Sequence, residues 1–265
     1  MNMNHHRVVL ITGATGAIGR AIARQIAARP GYEVVLAARN EEKARQLALE
    51  IIRATGNERV RYEVVDVSRL TSVRELVQRW QGPLHGLVNN AAVTPRSRQE
   101  TPEGIELQFA TNVLGYFWLI ETFRNILKQS APVRVVNVAS DYAGGLDVSD
   151  LEFKRRRYDN NAAYRQSKQA NRMLTVAHAA RLQVDGIVVN ACHPGGVNSA
   201  LSNNLGFRGS ESPDEGAKMP VWLATDPAGQ QHTGQYFSYG RQVRCPFGQD
   251  QAGVEALYQA CLSYL

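Results

Sequence analysis

Tyr164 and Lys168 stand four positions apart in the stretch AAYRQSKQAN, residues 162–171. Residues at i and i+4 of a helix share one face, so both side chains could reach the same cleft. A nearby ammonium favours the phenolate and lowers a tyrosine pKa from its usual value near 10. Such a tyrosine is a candidate general acid or base. The spacing also occurs by chance in helices, so alone it leaves open whether the two residues form a proton-transfer pair.

A glycine-rich turn, TGATGAIG at 12–19, follows the apolar run RVVLIT at 7–12 and opens a segment with helical period. In this context glycines let the backbone approach a pyrophosphate, while the amides of the helix N-terminus face the anion. We therefore predict a dinucleotide-binding turn, with a tight turn that binds nothing as the alternative. Its predicted contact residues are Gly13, Thr15, Gly16, Ala17, Ile18 and Gly19.

The type of dinucleotide is read at the end of the second predicted strand, where an acidic residue would bind the ribose 2′-hydroxyl of NAD. Here that strand ends in Arg39, and the acids Glu41 and Glu42 come only in the next predicted helix. An arginine can pair with a 2′-phosphate, so we predict NADP(H). Asp66 and Val67 end the third predicted strand and are expected near the adenine, although Asp66 could equally cap a turn.

Short apolar runs alternate with amphipathic segments along the whole chain. This pattern predicts a parallel sheet covered on both faces, and right-handed crossovers make it doubly wound. We expect an α/β single-domain Rossmann fold of about seven strands with helices on both faces. One domain would fill residues 1–265, with a cofactor half at about 7–140 and a catalytic and substrate half at about 140–265. Strands are predicted at 7–12, 33–39, 59–67, 85–92, 133–140 and 186–196, and helices at 17–29, 41–55, 70–80, about 104–129 and 162–183.

Composition excludes several classes of function. Three cysteines without metal-ligand spacing, and six histidines outside any Cys/His cluster, argue against a metal site. No apolar run reaches the roughly 20 residues of a membrane helix, and the N-terminus lacks an apolar signal core, so we expect a cytoplasmic protein without a membrane anchor. The net charge of +6 and the run KRRR at 154–157 could indicate nucleic acid, but no recognition motif accompanies them. We predict no nucleic-acid partner.

Seven motifs in order resemble the short-chain dehydrogenase/reductase family, in its retinol dehydrogenase-like and carbonyl reductase-like branch. They are TGATGAIG (12–19), DVS (66–68), NNAA (89–92), NVLG (112–115), VVNVAS (135–140), YRQSK (164–168) and HPGGVNS (193–199). The resemblance implies that Tyr164 protonates the substrate carbonyl as hydride arrives, and that Lys168 also holds the nicotinamide ribose. It further implies that Ser140 hydrogen-bonds the carbonyl and that Asn112 holds a relay water. A turn cap and a plain polar helix residue are the alternatives for these last two.

The same resemblance implies the remaining cofactor contacts. Asn89 and Ala91 would border the adenosine, whereas the turn with Pro194, Gly195, Val197 and Ser199 would meet the nicotinamide carboxamide, with His193 shaping that turn. Two departures from the family pattern, Ala17 and Ala92 in place of glycine, put cofactor affinity in question.

These observations predict an NADPH-dependent oxidoreductase of a ketone or aldehyde, or of the corresponding alcohol. A non-catalytic NADP(H)-binding sensor or scaffold is the alternative. The substrate pocket is expected at 93–100, 141–158 and 198–212, with a mobile lid at 200–211. Tyr142, Leu146, Phe153, Tyr158, Leu201 and Leu205 are its predicted apolar members. An insertion before Tyr164 favours a monomer or homodimer over a tetramer.

Overall fold

The computed structural model describes residues 6–265 as an α/β fold around one sheet. The first five residues, on which the expectation of no apolar leader partly rests, lie outside the described residues. The strands are β1 (Arg7–Thr12), β2 (Tyr32–Ala38), β3 (Val60–Val64), β4 (Gly86–Asn89), β5 (Val133–Val138), β6 (Ile187–Cys192), β7 (Tyr236–Ser238) and β8 (Arg241–Val243). Their spatial order is β3-β2-β1-β4-β5-β6-β7-β8.

Seven strands of this part of the chain run parallel, which confirms the doubly wound Rossmann fold. The eighth strand, β8, was not predicted. It pairs antiparallel with β7 through a two-residue turn, Tyr239 and Gly240, both with positive φ. Two-residue hairpin turns require such backbone angles, which glycine adopts readily.

Helices cover both faces of the sheet. They are α1 (Ala17–Ala27), α2 (Glu41–Thr55), α3 (Leu70–Arg79), α4 (Leu107–Phe109), α5 (Gly115–Gln129), α6 (Asn160–Leu182), α7 (Ala200–Asn204), α8 (Pro213–Thr225) and α9 (Gln251–Leu262). Successive side chains of β1 point to opposite faces of the sheet, so this strand contributes to two hydrophobic clusters. Val9 and Ile11 pack in the cluster that includes residues of α1, α2 and α8, whereas Val8 and Leu10 pack in the cluster with α3, α5, α6 and α9.

The helical pattern predicted at about 104–129 is interrupted. Glu106 caps α4, residues Ala110–Leu114 form a π-helical turn, and α5 follows. π-Helical turns insert an extra residue into the helical repeat and occur frequently at functional sites. This one contains Asn112, one of the predicted site residues.

Two further properties concern residues 6–265. No helix there is long and apolar enough to cross a membrane. The three cysteines are free, and within the same range no group of three or more His, Cys, Asp or Glu side chains could hold a metal ion.

Candidate active site

A cleft of about 530 Å³ opens at the carboxyl ends of the strands. It lies where the chain reverses between β1 and β4, the switch point at which doubly wound folds bind ligands. Most of the predicted site residues line it. These are Gly13, Thr15, Gly16, Ala17, Ile18, Gly19, Arg39, Asp66, Val67, Ala91, Tyr164, Lys168, Pro194 and Ser199.

Other lining residues were not singled out from the sequence. Among them are Val65, Asn90, Thr111, Val138 and Ala139. Thr111 is the most informative, because its buried hydroxyl oxygen has no hydrogen-bond partner among the described residues. An unpaired buried hydroxyl costs free energy, so a polar atom of a ligand in the cleft would relieve this cost. Its position just before Asn112 in NVLG was the only sequence signal.

The glycines of the first turn are required by close backbone contacts. Gly13 has φ of +61°, and a Cβ at Gly19 would lie 2.2 Å from the carbonyl oxygen of Gly13. Asn90 holds the turn from the neighbouring strand, since its Nδ2 donates to the carbonyl of Thr12 at 2.9 Å. The turn and the helix after it are therefore fixed against β4.

Helix α1 begins at this turn without a side-chain cap and without an acid in its first turn. Its first backbone N–H groups are thus available to an anion, and the partial positive charge of the helix terminus favours one. Together with the glycine contacts and the unpartnered Thr111, these features fit the diphosphate and ribose of a dinucleotide.

Arg39 follows β2 and lines the same cleft. Within residues 6–265 its guanidinium has no hydrogen-bond or ion-pair partner. The two nearby acids are engaged elsewhere. Glu41 accepts from the Tyr62 hydroxyl at 3.4 Å, and Glu42 pairs with Arg45 at 2.8 Å in the first turns of α2. The local charge at the end of β2 is therefore positive.

Asp66 satisfies both interpretations that the sequence left open. Its Oδ1 accepts from the backbone N–H and the hydroxyl of Ser68, at 3.0 and 2.7 Å, so the carboxylate caps a turn. It also lines the cleft. Ser199 likewise does both, because it caps the short helix α7 and lines the cleft.

Tyr164, Lys168 and Ser140 converge on the catalytic side of the cleft. Tyr164 and Lys168 lie on one face of α6, are 8% and 2% exposed, and both line the cleft. Ser140 follows the end of β5, is buried and does not line the cleft, but its hydroxyl lies near enough to oppose the rise in the pKa of the Tyr164 phenol. Lys168 Nζ donates to the carbonyl of Val138 at 2.8 Å and lies 5.7 Å from the centre of the Tyr164 ring. The predicted proton-transfer group is thus assembled at one place.

The expectation that Lys168 lowers the pKa of Tyr164 is wrong in this structure. Burial raises the pKa of the Tyr164 phenol to about 12, and the hydrogen bond from Ser140 opposes this only in part. Burial also lowers the pKa of the Lys168 ammonium to about 7. Both side chains lie away from water, where the neutral form of each is favoured.

Asn112 is fully buried and does not line the cleft. Its Oδ1 accepts from the backbone N–H of Val93 at 2.9 Å, and its Nδ2 donates to the carbonyl of Val93 and to Ser167 Oγ, at 3.1 and 3.2 Å. The side chain therefore connects the cleft wall after β4 to α6 beside Lys168. That Asn112 also binds a relay water remains a prediction.

Three predicted cofactor contacts do not line the cleft. Asn89 is fully buried and donates to Asn137 Oδ1 at 2.9 Å, because alternation along β4 turns it into the sheet and brings Asn90 to the cleft. Val197 is buried and would meet a Cβ added at Gly216, so it packs under α8 instead. Gly195 does not line the cleft either, because the carboxylate of Glu211 lies against it.

Aromatic rings lie beside Tyr164. Tyr142 stacks on Tyr164 with ring centres 6.3 Å apart, and Phe207 meets Tyr142 edge-on at 5.0 Å. Tyr142 and Phe207 are 36% and 46% exposed. Leu201 lines the cleft, and Leu205 is buried in the same segment.

Three of the predicted pocket residues lie elsewhere. Phe153 is buried, and Leu146 packs against the larger core cluster beside α6. The Tyr158 hydroxyl is held away from the cleft by Gln108 and by the carbonyl of Pro95. These side chains belong to the inserted segment, which turns back into the core.

The basic run at 154–157 is folded around an acid. The Asp150 carboxylate accepts from the backbone N–H groups of Lys154, Arg155 and Arg156, at 2.8 to 3.2 Å for the shortest bonds, and from Arg156 Nε at 3.1 Å. Lys154 also pairs with Glu152 at 2.9 Å. Two of the four positive charges in this run, those of Lys154 and Arg156, are therefore paired with acids of the same loop.

Comparisons with known proteins agree with this geometry. The sequence model of the family described as short chain dehydrogenase matches residues 7–207. The chain is 36% identical to mouse retinol dehydrogenase 13 over 260 residues, which covers 91% of this chain and 77% of the relative.

Two solved structures are also similar. An uncharacterized protein of Mycobacterium paratuberculosis superimposes with a TM-score of 0.81 and 28% identity, covering 97% of this chain and 92% of its own. A protein of Escherichia coli CFT073, described as a short chain dehydrogenase complexed with NADPH, superimposes with a TM-score of 0.71 and 26% identity, covering 88% of this chain and 95% of its own.

Proposed function

This chain belongs to the short-chain dehydrogenase family, in its retinol dehydrogenase-like branch, and is an oxidoreductase; we propose that it uses NADPH to reduce an apolar aldehyde or ketone. The observation that supports this proposal most is that Tyr164 and Lys168 line the same cleft as the glycine turn, with the buried Ser140 beside Tyr164. Proton-transfer groups and a dinucleotide cradle within one cleft are what hydride transfer to a carbonyl requires.

The proposed chemistry adds a hydride and a proton across the C=O bond. Bound nicotinamide supplies the hydride. The Tyr164 hydroxyl donates the proton to the carbonyl oxygen, and the Ser140 hydroxyl holds that oxygen in place. The raised pKa of the Tyr164 phenol keeps the proton on its oxygen at neutral pH, so the hydroxyl can act as the donor.

Lys168 contributes charge at the same place. Burial lowers the pKa of its ammonium to about 7. As Tyr164 gives up its proton, this ammonium stabilises the phenolate that forms. Re-protonation then resets the tyrosine for the next turnover.

The preference for NADPH rests on Arg39. A guanidinium can make bidentate, charge-assisted hydrogen bonds to a phosphate, and no acid at the end of β2 offers an acceptor for a ribose 2′-hydroxyl. The similar Escherichia coli protein is described as complexed with NADPH, which supports the same choice.

The substrate class follows from the exposed rings beside Tyr164. Large exposed aromatic side chains at a cleft indicate contact with an apolar ligand. Tyr142 and Phe207 provide such a surface next to the reacting group. We therefore favour a medium-sized carbonyl compound with an apolar or aromatic body.

The test is the melting temperature of the protein with NADPH, NADP⁺, NADH and NAD⁺ in parallel. A ligand at a hundred times its dissociation constant stabilises the folded state by about 2.7 kcal/mol. We expect the melt to shift with the two phosphorylated nucleotides. A shift with NADH and NAD⁺ alone would contradict the role of Arg39, and no shift with any of the four would contradict the enzyme itself.

A further inference from the structure

Asp141, the residue after Ser140, makes contacts that the proposed chemistry does not use. Its Oδ1 accepts from the Tyr236 hydroxyl at 2.7 Å, and its Oδ2 accepts from the Ser238 hydroxyl at 2.6 Å. Both donors are buried on β7. Although burial alone would raise the pKa of the Asp141 carboxyl, the bonds from Ser238 and Tyr236 hold it below the ordinary value, so the group is an anion at neutral pH.

The geometry of these bonds is unusual because β7 is not the neighbour of β5. Strand β6 lies between them, so the segment after β5 must pass over the end of β6 before the Asp141 carboxylate can meet β7. His193, at the end of β6, lies in this path. Its Nδ1 accepts from the backbone N–H of Asp141 at 3.3 Å, while the backbone N–H of His193 donates to the carbonyl of Phe237 on β7 at 2.8 Å. The ends of three strands are thus joined through Asp141.

Sheet pairing no longer holds the chain at this point. The register of β5 with β6 ends at Val138 and Cys192, and the backbone bond from Ala139 to Cys192 is the last one to the sheet. Beyond it, the Tyr142 N–H donates to Ser140 Oγ at 3.1 Å within the turn, and the Asp141 N–H donates to Nδ1 of His193 at 3.3 Å. The two bonds of the Asp141 carboxylate are shorter, and they tie this turn to β7.

The donor side of the contact is itself rigid. The guanidinium of Arg172, from α6, lies 3.8 Å from the centre of the Tyr236 ring. Ser238 lies in the last paired position of β7, opposite Arg241 of the hairpin. A fixed donor pair and an anionic acceptor give a preorganised contact instead of a mobile surface interaction.

We propose that Asp141 is a positioning residue that holds Ser140 against Tyr164 by binding the hydroxyls of Tyr236 and Ser238. This inference deepens the proposed reductase function and rests on it. A displacement of about 1 Å in a catalytic group can lower a rate by about a hundredfold, so loss of the tie should appear in kcat.

The test is a double-mutant cycle on Ser140→Ala and Asp141→Ala, with 4-nitrobenzaldehyde and saturating NADPH as the probe reaction. We expect Asp141→Ala to lower kcat between about tenfold and about a hundredfold, with the NADPH-induced melting shift unchanged. In the Ser140→Ala background, Asp141→Ala should lower kcat by less than about twofold, because Asp141 acts through Ser140. Asp141→Asn keeps one acceptor oxygen and should recover part of the rate.

Asp147→Ala is the matched control, since Asp147 binds the N–H and hydroxyl of Ser149 in the same loop but does not touch the site. If Asp141→Ala folds poorly, Ser238→Ala and Tyr236→Phe each remove one donor and should show a smaller loss of kcat. Equal losses in both Ser140 backgrounds, or an unchanged kcat, would overturn the positioning role and leave the reductase intact. No turnover by the wild-type protein would overturn the reductase and this inference with it.

Discussion

In the proposed function, the single side chain of Arg39 determines the preference for NADPH over NADH. The Arg39→Ala variant should bind NADPH about 10- to 100-fold more weakly, because a charge-assisted hydrogen-bonded pair contributes about 1.5–3 kcal/mol. Its affinity for NADH, which lacks the 2′-phosphate, should change less than about threefold. Isothermal titration with both nucleotides measures the two effects side by side.

Arg45→Ala provides the control for charge alone. Arg45 lies near the start of α2 and is already paired with Glu42. If Arg39→Ala and Arg45→Ala weakened NADPH equally, general electrostatic attraction and not a specific contact would explain the preference.

Individual residues also show how far the sequence could be interpreted. Tyr164, Lys168 and Ser140 were predicted because their spacing and motif order are sufficient to identify them. The direction of the Tyr164 pKa was missed because it depends on burial, which spacing does not give. Asn89 was chosen over Asn90 because a sequence does not say which of two adjacent residues of a strand faces the cleft.

The turn between β1 and α1 depends on close backbone packing at Gly19. In Gly19→Ala the new Cβ would lie 2.2 Å from the carbonyl oxygen of Gly13, which is backbone and cannot rotate away. We expect about 1–3 kcal/mol of destabilisation, as for other overpacked sites, and loss of the NADPH-induced melting shift. Thermal melts with and without NADPH measure both quantities.

Gly196→Ala is the corresponding control, because a Cβ there meets nothing within 4 Å. It should melt close to the wild type and keep its response to NADPH. A Gly19→Ala variant that behaved in the same way would contradict the close packing of α1 against the turn.

Most helices and strands were predicted to within a few residues, because the apolar periodicity of a buried parallel sheet is strong. The prediction gave no ranges for β7, β8, α7, α8 and α9, and it missed the interruption of the helix before α5. The π-helical turn at Ala110–Leu114 keeps an apolar pattern that looks continuous in sequence, and β8 is too short to show alternation. The contact from Asp141 to β7 joins residues about 95 positions apart, so no local pattern could indicate it.

Burial of acidic and basic groups determines how the stability of the whole molecule depends on pH. Glu106 is 1% exposed, and burial raises the pKa of its carboxyl to about 7, against the opposing bonds from the N–H groups of Gln108 and Phe109. A raised folded-state pKa means that the folded protein binds the extra proton. The stabilisation that Glu106 gives to the folded state is therefore complete below about pH 4.5 and is lost as pH rises through about 7.

The Glu106→Gln variant should lose this dependence. Its free energy of unfolding, from urea titrations at pH 5 and pH 7.5, should fall less with rising pH than that of the wild type, by about 2–3 kcal/mol. Glu103→Gln, which removes an exposed acid three residues away, should leave the wild-type slope unchanged. Identical slopes for Glu106→Gln and the wild type would show that Glu106 is ionised in the folded protein.

The central claim is that Tyr164 donates the proton that completes carbonyl reduction, and Tyr164→Phe tests it most directly. The measurement is NADPH-dependent reduction of 4-nitrobenzaldehyde by wild type and variant, together with the NADPH-induced melting shift of each. General acid catalysis contributes about 10²- to 10⁴-fold, so we expect turnover to fall by at least about a hundredfold while the melting shift is retained. Turnover within about tenfold of the wild type would contradict the assigned role. Binding of NADPH without turnover by the wild type itself would favour a nucleotide-binding sensor or scaffold instead.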